Sequence, residues 1–176
     1  MLRSALLGAR NALSHEARNT AARNIGIHVL KWVQRCDIKT LAVYSPIRGE
    51  PDLTATWSAL AAAGIKLALP MVVAADTPLQ FVEWTPGQPM MRDAFGVNIP
   101  VSPHRLVTPT TILIPCLGFT LERIRLGYGG GFYDRTLAAL SSANTVGIAF
   151  DCGRVSFDAQ AHDIALRAII TESGVC

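Results

Sequence analysis

The chain has 176 residues, of which half are hydrophobic and 16% are charged, and its formal net charge is +3. This composition excludes extended disorder, and the length suits one domain that buries about 70% of the surface of its unfolded chain. The small net charge and the lack of lysine-rich runs disfavour a nucleic-acid-binding protein, whereas localised arginines favour a small anionic ligand. We therefore expect a single domain over residues 1–176 without a nucleic-acid partner.

The cysteines and the apolar stretches also limit the class of protein. The four cysteines form no CxxC pair and have no histidine at zinc-ligand spacing, which predicts reduced thiols in a cytoplasmic protein. Gly64, Lys66 and Pro70 divide the apolar stretch at residues 59–75 into units too short to span a membrane. We expect no membrane partner and either a monomer or a weak homodimer.

Two helices are predicted at the amino end. The apolar stripe of an amphipathic first helix consists of Leu2, Leu6, Leu7 and Leu13. Arg3 and Arg10 lie close together on another face of this helix, which makes it basic. Ser14 is typical of an N-cap, Glu16 falls in the first turn of a second helix, and that helix ends near residues 35–37.

The next segment has the pattern of a βαβ unit. Residues 40–44 predict a strand, Asp52 caps a helix that Gly64 ends, and residues 65–69 predict a second strand. Strands joined through a helix run parallel, so the fold class is α/β with a mostly parallel sheet. The turn-rich loop at residues 45–51 follows the carboxyl end of the first strand, where such sheets form ligand sites.

Prolines recur through residues 76–107, which predicts loops around short strands such as residues 79–84. This segment is expected to contain a flap or hairpin over the ligand. Further strands are predicted at residues 111–115, 145–150 and 167–171.

The stretch RLGYGGGFYDR, residues 125–135, is the most informative part of the chain. It lies between the strand at residues 111–115 and a helical segment at residues 136–140, and the order strand, glycine loop, helix is typical of phosphate binding. Glycines lack a Cβ atom, so the backbone of the loop can adopt positive φ angles and its N–H groups can close on phosphate oxygens. The glycines of the loop are Gly127, Gly129, Gly130 and Gly131. The loop matches neither GxGxxG nor the Walker pattern, which disfavours a dinucleotide fold and a P-loop kinase.

Other side chains of this stretch also suit a nucleotide. Arg125 and Arg135 flank the loop with positive charge. Phe132 and Tyr133 can offer flat faces to a ring, and Asp134 can supply an oxygen ligand for magnesium. Core packing and helix capping are the alternative roles of these last three residues.

The order of several short motifs resembles the 5-formyltetrahydrofolate cyclo-ligase family, whose members are also called methenyltetrahydrofolate synthetases. These motifs are Gly49-Glu50, Phe95-Gly96, PCLGF at residues 115–119, RLGYGGGFYDR and His162-Asp163. The similarity covers nearly the whole chain, and PCLGF followed by RLGYGGGFYDR is its most specific part. The resemblance implies a three-layer α/β/α sandwich with a mostly parallel central sheet.

The resemblance also implies an enzyme, a ligase that uses ATP and Mg²⁺ to convert 5-formyltetrahydrofolate to 5,10-methenyltetrahydrofolate with release of ADP and phosphate. A formamide carbonyl is a poor electrophile, so ATP phosphorylates its oxygen and phosphate becomes the leaving group. The second folate nitrogen then attacks the activated carbon. This chemistry needs positioning and charge stabilisation rather than a nucleophilic Ser, Cys or His.

Each matched residue receives an implied role from this resemblance. The implied ATP-binding residues are Arg3, Arg125, Gly127, Tyr128, Gly129, Gly130, Gly131, Phe132 and Asp134. The implied folate-binding residues are Glu50, Phe95, Phe132 and Tyr133. Arg125 and Tyr133 are the implied catalytic residues, and Asp134 is the implied magnesium ligand.

Three departures from the family pattern keep other functions open. The family usually has a lysine about one helical turn before Arg3, whereas this chain begins two residues before it. Phe132 stands where tyrosine is frequent, and Gly153-Arg154 replaces a glutamine. The alternatives are a paralogue that acts on another ligand and a nucleotide-binding module without catalysis. His162 and Asp163 match a family pair to which the sequence assigns no catalytic role.

Overall fold

The computed structural model describes residues 1–36, 38–101, 104–160 and 163–176. The helices in these ranges are α1 (Leu2–Ala12), α2 (His15–Gln34), α3 (Thr54–Ala62) and α4 (Phe132–Ala139). The strands are β1 (Thr40–Ala42), β2 (Lys66–Met71), β3 (Gln80–Trp84), β4 (Met90–Arg92), β5 (Asn98–Pro100), β6 (Thr111–Pro115), β7 (Gly118–Phe119), β8 (Arg125–Leu126), β9 (Asn144–Ile148), β10 (Ala168–Thr171) and β11 (Gly174–Val175).

The described strands include a seven-stranded sheet with the order β11-β10-β9-β6-β1-β2-β3. The neighbours β10, β9, β6, β1 and β2 run parallel to one another. The edge strands β3 and β11 pair antiparallel with β2 and β10. The mostly parallel α/β sheet is therefore confirmed, and the sequence did not predict β11.

Helices cover both faces of this sheet, which confirms the three-layer sandwich. On one face, α2 buries Ile25 and Val29 in a core that includes Leu113 of β6. On the other face, α4 packs Leu137 in a core that includes Ile112 of β6. Neighbouring residues of β6 thus enter opposite cores, as the alternation of side chains along a buried strand requires.

Local hydrogen bonds mark the starts of two helices; Ser14 is the predicted N-cap of α2, whereas the N-cap of α3 is Leu53 rather than the predicted Asp52. The Ser14 hydroxyl accepts a hydrogen bond from the Ala17 N–H at 3.1 Å, a cap that contributes about 1 kcal/mol. The Asp52 carboxylate accepts from the Thr54 N–H at 3.0 Å before α3. Gly64 has a φ of +87°, so it ends α3 in a conformation that favours glycine. In the described part of the chain, no helix is long and apolar enough to cross a membrane.

The first helix differs from its predicted apolar stripe. Leu6 is buried, but Leu2 is 38% exposed and Arg10 is only 2% exposed. The prediction was therefore wrong for Leu2, and it placed Arg10 on a face away from the core. Arg10 can be buried because its guanidinium donates to the Tyr128 hydroxyl and to the Cys116 carbonyl, each at 2.7 Å.

The proline-rich segment contains the predicted hairpin. Strands β4 and β5 pair antiparallel as a separate sheet. Asp93 Oδ1 accepts from the N–H groups of Phe95 and Val97, at 2.9 and 2.8 Å, and so fixes the tip of the hairpin. The strand predicted at residues 79–84 is β3, and it lies at the edge of the large sheet.

The segment between β6 and α4 differs most from the prediction. Strands β7 and β8 form a short antiparallel pair that the sequence did not predict, so Arg125 lies on a strand rather than in a loop. Helix α4 begins at Phe132, four residues before the helical segment predicted at residues 136–140. Gly131 precedes it with a φ of +66°, which allows the chain to turn into the helix there. Asp134 therefore belongs to the first turn of α4.

Candidate active site

The candidate site lies at the carboxyl ends of β1 and β6. These strands are neighbours, and the chain continues from β1 to β2 on one side and from β6 to β9 on the other. Loops that diverge in this way leave a crevice, which is the usual ligand position in open parallel sheets. A turn at Ile47–Glu50 follows β1, and the β7–β8 pair follows β6.

A cleft of about 710 Å³ occupies this crevice, a volume that suits a ligand of nucleotide or folate size. The cleft is lined by every residue that the sequence assigned to a ligand or to the reaction. These residues are Arg3, Glu50, Phe95, Arg125, Gly127, Tyr128, Gly129, Gly130, Gly131, Phe132, Tyr133 and Asp134. Four separate segments of the chain supply them, so the fold brings together residues that are far apart in sequence.

One side of the cleft, which we call the phosphate wall, consists of the glycine loop at residues 127–131 and the residues that hold it. Arg3 Nε donates to the Gly127 carbonyl at 2.9 Å and thereby joins α1 to the loop. Gly129 and Gly131 have φ angles of +95° and +66°, which residues with a Cβ atom rarely adopt. Glycine is therefore required at these two positions for the loop to take this path.

The arginines that flank the glycine loop both contact protein groups. Arg125 Nη2 lies 2.6 Å from Asp134 Oδ1, and the Arg125 side chain is 7% exposed. Arg135 donates to the Gly130 carbonyl at 2.7 Å and lies 3.6 Å from the Asp76 carboxylate. Within the described residues, Arg125 Nε has no hydrogen-bond partner. One donor of this buried guanidinium is therefore left without a protein acceptor among these residues.

Asp134 is the acid that the resemblance assigned to magnesium. Its Oδ1 atom accepts from Arg125, and the described residues contain no cluster of three His, Cys, Asp or Glu side chains that could hold a metal ion. Magnesium that is bound through nucleotide phosphates needs only one or two protein carboxylates. Asp134 fits that arrangement, in which phosphate oxygens supply the other ligands.

The opposite side of the cleft, which we call the acceptor wall, is built on the turn at Ile47–Glu50. The Glu50 N–H donates to the Ile47 carbonyl at 3.0 Å, and the Ile47 N–H donates to Glu50 Oε2 at 2.9 Å. Arg48 and Gly49, the two central residues, have φ angles of +49° and +72°, as in a type I′ turn. The turn thus holds the Glu50 carboxylate, which is 6% exposed, against its own backbone.

Burial controls the protonation of the groups around this carboxylate. It raises the pKa of Glu50 to about 7, although Tyr128, Arg10 and Arg48 act in the opposite direction. Burial also raises the pKa of Tyr128 to about 12 and the pKa of Tyr133 well above its ordinary value. The tyrosines are therefore neutral at pH 7, whereas Glu50 titrates there. A ligand that donates hydrogen bonds to Glu50 favours its charged form.

Aromatic side chains join the two walls of the cleft. Phe95, at the hairpin tip, is 47% exposed, and its ring centroid lies 6.2 Å from that of Phe132 with the planes at 76°. The Arg125 guanidinium lies 5.9 Å from the centroid of the Tyr133 ring. Thr136 fixes the first turn of α4, because its hydroxyl donates to the Phe132 carbonyl at 2.6 Å and accepts from the Leu79 N–H at 2.9 Å.

The sequence did not identify Arg10 and Arg48 as site residues. Arg10 lies beneath the cleft and supports Tyr128, and the Arg48 guanidinium lies 5.1 Å from the centroid of the Tyr128 ring. Arg48 had a signal in the sequence, namely a cation next to Gly49-Glu50 in a site-forming loop. Arg10 had none, because nothing local connects it to Tyr128.

A further wall of the cleft was also missed. It comes from the segment before β10 and consists of Phe157, Asp158, Gln160 and Asp163. Asp163 Oδ2 accepts from the Gln160 N–H at 2.8 Å. The matched residue His162 lies outside the described residues.

Together, the fold and the cleft define an α/β protein in which a glycine loop and a buried carboxylate line the same cleft. The model of the 5-formyltetrahydrofolate cyclo-ligase family matches residues 1–172. The 5-formyltetrahydrofolate cyclo-ligase of Mycolicibacterium smegmatis is 29% identical, over 97% of this chain and 91% of the relative. The Escherichia coli K12 enzyme of the same name is also 29% identical, over 94% of this chain and 96% of its own.

Solved structures agree with this result. The 5,10-methenyltetrahydrofolate synthetase of Mycoplasma pneumoniae superposes with a TM-score of 0.81 at 26% identity and covers 97% of this chain and 96% of its own. The Aquifex aeolicus synthetase gives a TM-score of 0.83 at 29% identity, over 99% of this chain and 89% of its own. The chain belongs to the 5-formyltetrahydrofolate cyclo-ligase family, and it is an enzyme of the ligase class.

Proposed function

We propose that this chain uses ATP to convert 5-formyltetrahydrofolate to 5,10-methenyltetrahydrofolate, with release of ADP and phosphate. The observation that carries the proposal is a phosphate-type glycine loop opposite the buried Glu50 in one cleft, within a chain of this family. The paralogue and the non-catalytic module are not favoured, because relatives that match nearly the whole chain are named for the cyclo-ligase activity.

On the phosphate wall, ATP binds with its phosphates on the N–H groups of the glycine loop. Arg3 and Arg125 supply positive charge beside the loop, and both residues line the cleft. Asp134, which pairs with Arg125 in this structure, would hold the Mg²⁺ that accompanies ATP. When bound, that ion supplies neutralising charge for the phosphates.

On the acceptor wall, Glu50 accepts paired hydrogen bonds from the pterin ring, while Phe95, Phe132 and Tyr133 contact the folate rings. Because donors from the ring favour the charged carboxylate, folate binding removes a proton from Glu50 near neutral pH. The ring of Phe95 at the tip of the hairpin is exposed, so the folate can cover it on binding.

The reaction proceeds by two displacements. The formyl oxygen attacks the γ-phosphorus, forming an O–P bond as the P–O bond to ADP breaks and its electron pair leaves with ADP. The second folate nitrogen then attacks the formyl carbon, the C–O bond breaks, phosphate leaves, and the nitrogen loses its proton to solvent. Arg125 holds the transferring group, and the neutral Tyr133 hydroxyl donates a hydrogen bond to it.

The direct test is the formation of the methenyl product, followed by its near-ultraviolet absorbance. We expect absorbance to appear when 5-formyltetrahydrofolate, ATP and Mg²⁺ are all present, and not when ATP is omitted. No absorbance at saturating ATP and Mg²⁺ would contradict the proposal. A calorimetric titration that detects no folate binding would favour the paralogue instead.

We also propose the domain organisation, the cellular location and the oligomeric state of the enzyme. Residues 1–176 form one domain, since both hydrophobic cores pack on the same sheet. We place the enzyme in the reducing cytoplasm, because its four cysteines are free thiols. The small net charge of +3 supports the absence of a nucleic-acid partner. We expect either a monomer or a weak homodimer, and light scattering after size-exclusion chromatography distinguishes the two.

A further inference from the structure

Arg48 lines the cleft, but the assignments above give it no role. The other arginines of the cleft already have protein partners: Arg3 donates to the Gly127 carbonyl, and Arg125 pairs with Asp134. Arg48 makes no hydrogen bond and no ion pair with any other described residue. It is thus a cation that faces the cleft with all its donors open to a ligand.

The backbone at Arg48 indicates that its position is specific. Its φ is +49°, in a type I′ turn whose central positions favour Gly, Asn and Asp. A residue held in a disfavoured conformation is typical of a site where function requires it. The turn is closed by the two hydrogen bonds between Ile47 and Glu50, so Arg48 and the Glu50 carboxylate are presented by one rigid unit.

The guanidinium of Arg48 lies at the boundary between the two walls. Its Cζ is 5.1 Å from the centroid of the Tyr128 ring, and Tyr128 is part of the glycine loop. Glu50, on the other side, is close enough for Arg48 to influence its protonation. A group that moves from the phosphates to the folate therefore passes beside Arg48.

We propose that Arg48 is a further catalytic residue, whose guanidinium binds the γ-phosphoryl group while it moves from ATP to the formyl oxygen. This inference rests on the proposed function. In that step the P–O bond to ADP breaks, the O–P bond to the formyl oxygen forms, and Arg48 keeps its proton throughout. The planar guanidinium offers two parallel N–H groups to the phosphoryl oxygens, on which the negative charge is spread.

A carboxylate of the folate substrate also presents negatively charged oxygens to a guanidinium. The experiment must therefore distinguish a bound carboxylate from a bound γ-phosphoryl group. Arg48→Gly removes the guanidinium but retains the turn, because glycine readily adopts positive φ. Arg48→Lys retains the charge without the planar pair of donors. The control is Arg105→Ala, since its side chain is 77% exposed, its ion pair among the described residues is with Glu83, and it does not line the cleft.

We expect Arg48→Gly to lower kcat about 100-fold at saturating ATP and folate, and to leave both KM values within about threefold. Arg48→Lys should lose about tenfold, and added guanidinium should partly restore Arg48→Gly. Arg105→Ala should match the wild type.

An unchanged kcat would overturn the inference, whatever happens to KM. A rise in the folate KM alone would identify a substrate carboxylate as the ligand of Arg48. Wild-type enzyme without any turnover would instead overturn the proposed function, and the role of Arg48 would fall with it. Circular dichroism of Arg48→Gly must remain native, and rescue by guanidinium is a result that a merely structural role cannot give.

Discussion

The two walls of the cleft differ in how far the protein satisfies its own polar groups. On the phosphate wall, the cations are held by protein acceptors before any ligand binds: Arg3 donates to the Gly127 carbonyl, and Arg125 pairs with Asp134. On the acceptor wall, Glu50 Oε2 accepts from the Ile47 N–H of its own turn, no ion pair within the described residues holds this carboxylate, and Phe95 is 47% exposed. One wall is internally bonded, and the other is completed by its ligand.

This difference separates stability from binding. An anion that binds to the phosphate wall exchanges one partner of a cation for another, so substitutions there disturb the unliganded protein as well as the reaction. Substitutions on the acceptor wall remove contacts that only the ligand completes, so we expect them to change folate binding with little effect on unfolding. Four variants test this comparison.

Arg125→Ala should have the largest effect. We expect kcat/KM for ATP to fall about 1000-fold, because the guanidinium is lost and the Asp134 carboxylate is left to repel the incoming phosphates. Initial rates of methenyl formation over a range of ATP concentrations measure this. The exposed Arg35, at the end of α2, provides the control Arg35→Ala, which should behave as the wild type. A loss of less than tenfold would argue against contact between Arg125 and the phosphates.

Arg10→Met should weaken the fold itself. We expect the free energy of unfolding to fall by about 3 kcal/mol, since the Tyr128 hydroxyl and the Cys116 carbonyl lose a charged donor in the interior. Urea denaturation measures the change, and Arg23→Met on the exposed face of α2 should stay within about 0.5 kcal/mol of wild type. A loss below about 1 kcal/mol would show that Arg10 is dispensable.

Glu50→Gln should remove a pH dependence of folate binding. Because the pKa of Glu50 is raised from 4.5 to about 7, protonated Glu50 stabilises the free protein at low pH, and this contribution is lost as the pH rises through about 7. Hydrogen-bond donors of the folate favour the charged form of Glu50. The affinity of the wild type for folate should therefore increase as the pH rises through about 7, and binding near this pH should release a proton. Glu50→Gln should bind about 30-fold more weakly at high pH, which corresponds to about 2 kcal/mol.

Calorimetry of 5-formyltetrahydrofolate binding without ATP, in two buffers of different ionisation enthalpy, counts the released protons. The wild type should release a proton on binding near pH 7, whereas Glu50→Gln should release none. The same pH slope in both proteins would assign the titration to another group.

Phe95→Ala should have the smallest effect. We expect the folate KM to rise about fivefold, equivalent to about 1 kcal/mol, while the free energy of unfolding changes by less than about 0.5 kcal/mol. Leu121→Ala, at a position 73% exposed and outside the cleft, is the matched control. If the KM for ATP rises as much as the KM for folate, Phe95 does not belong to the acceptor wall alone.

Much of the fold could be predicted because its determinants are local. Ser14 caps α2 through a residue three positions later, and Gly64 ends α3 through its own backbone conformation. The strand at residues 111–115 is buried on both faces and therefore has a continuous apolar pattern. Gly129 and Gly131 of the loop at residues 127–131 are likewise required by the path of their own backbone, whereas Gly127 and Gly130 do not have positive φ angles.

Other features could not be predicted because their determinants are distant in the chain. Arg10 has the pattern of a solvent-facing residue on a basic helix, and only its acceptors, 106 and 118 residues later, allow it to be buried. Strands β7 and β8 are two residues long, too short for a periodic pattern. Arg48 could be assigned to the site only after the fold had placed its guanidinium beside Tyr128, 80 positions later in the chain.

The two hydrogen bonds of Arg10 have a consequence for biosynthesis. At a translation rate of about 5–20 residues per second, Cys116 and Tyr128 follow Arg10 by roughly 5 to 25 s. During that interval the nascent chain carries a cationic helix whose acceptors do not yet exist, and contacts of such high sequence separation form late in folding. The catalytic cleft therefore assembles after most of the chain has been made, and a ribosome-bound fragment that ends before Cys116 cannot bind ATP at this site.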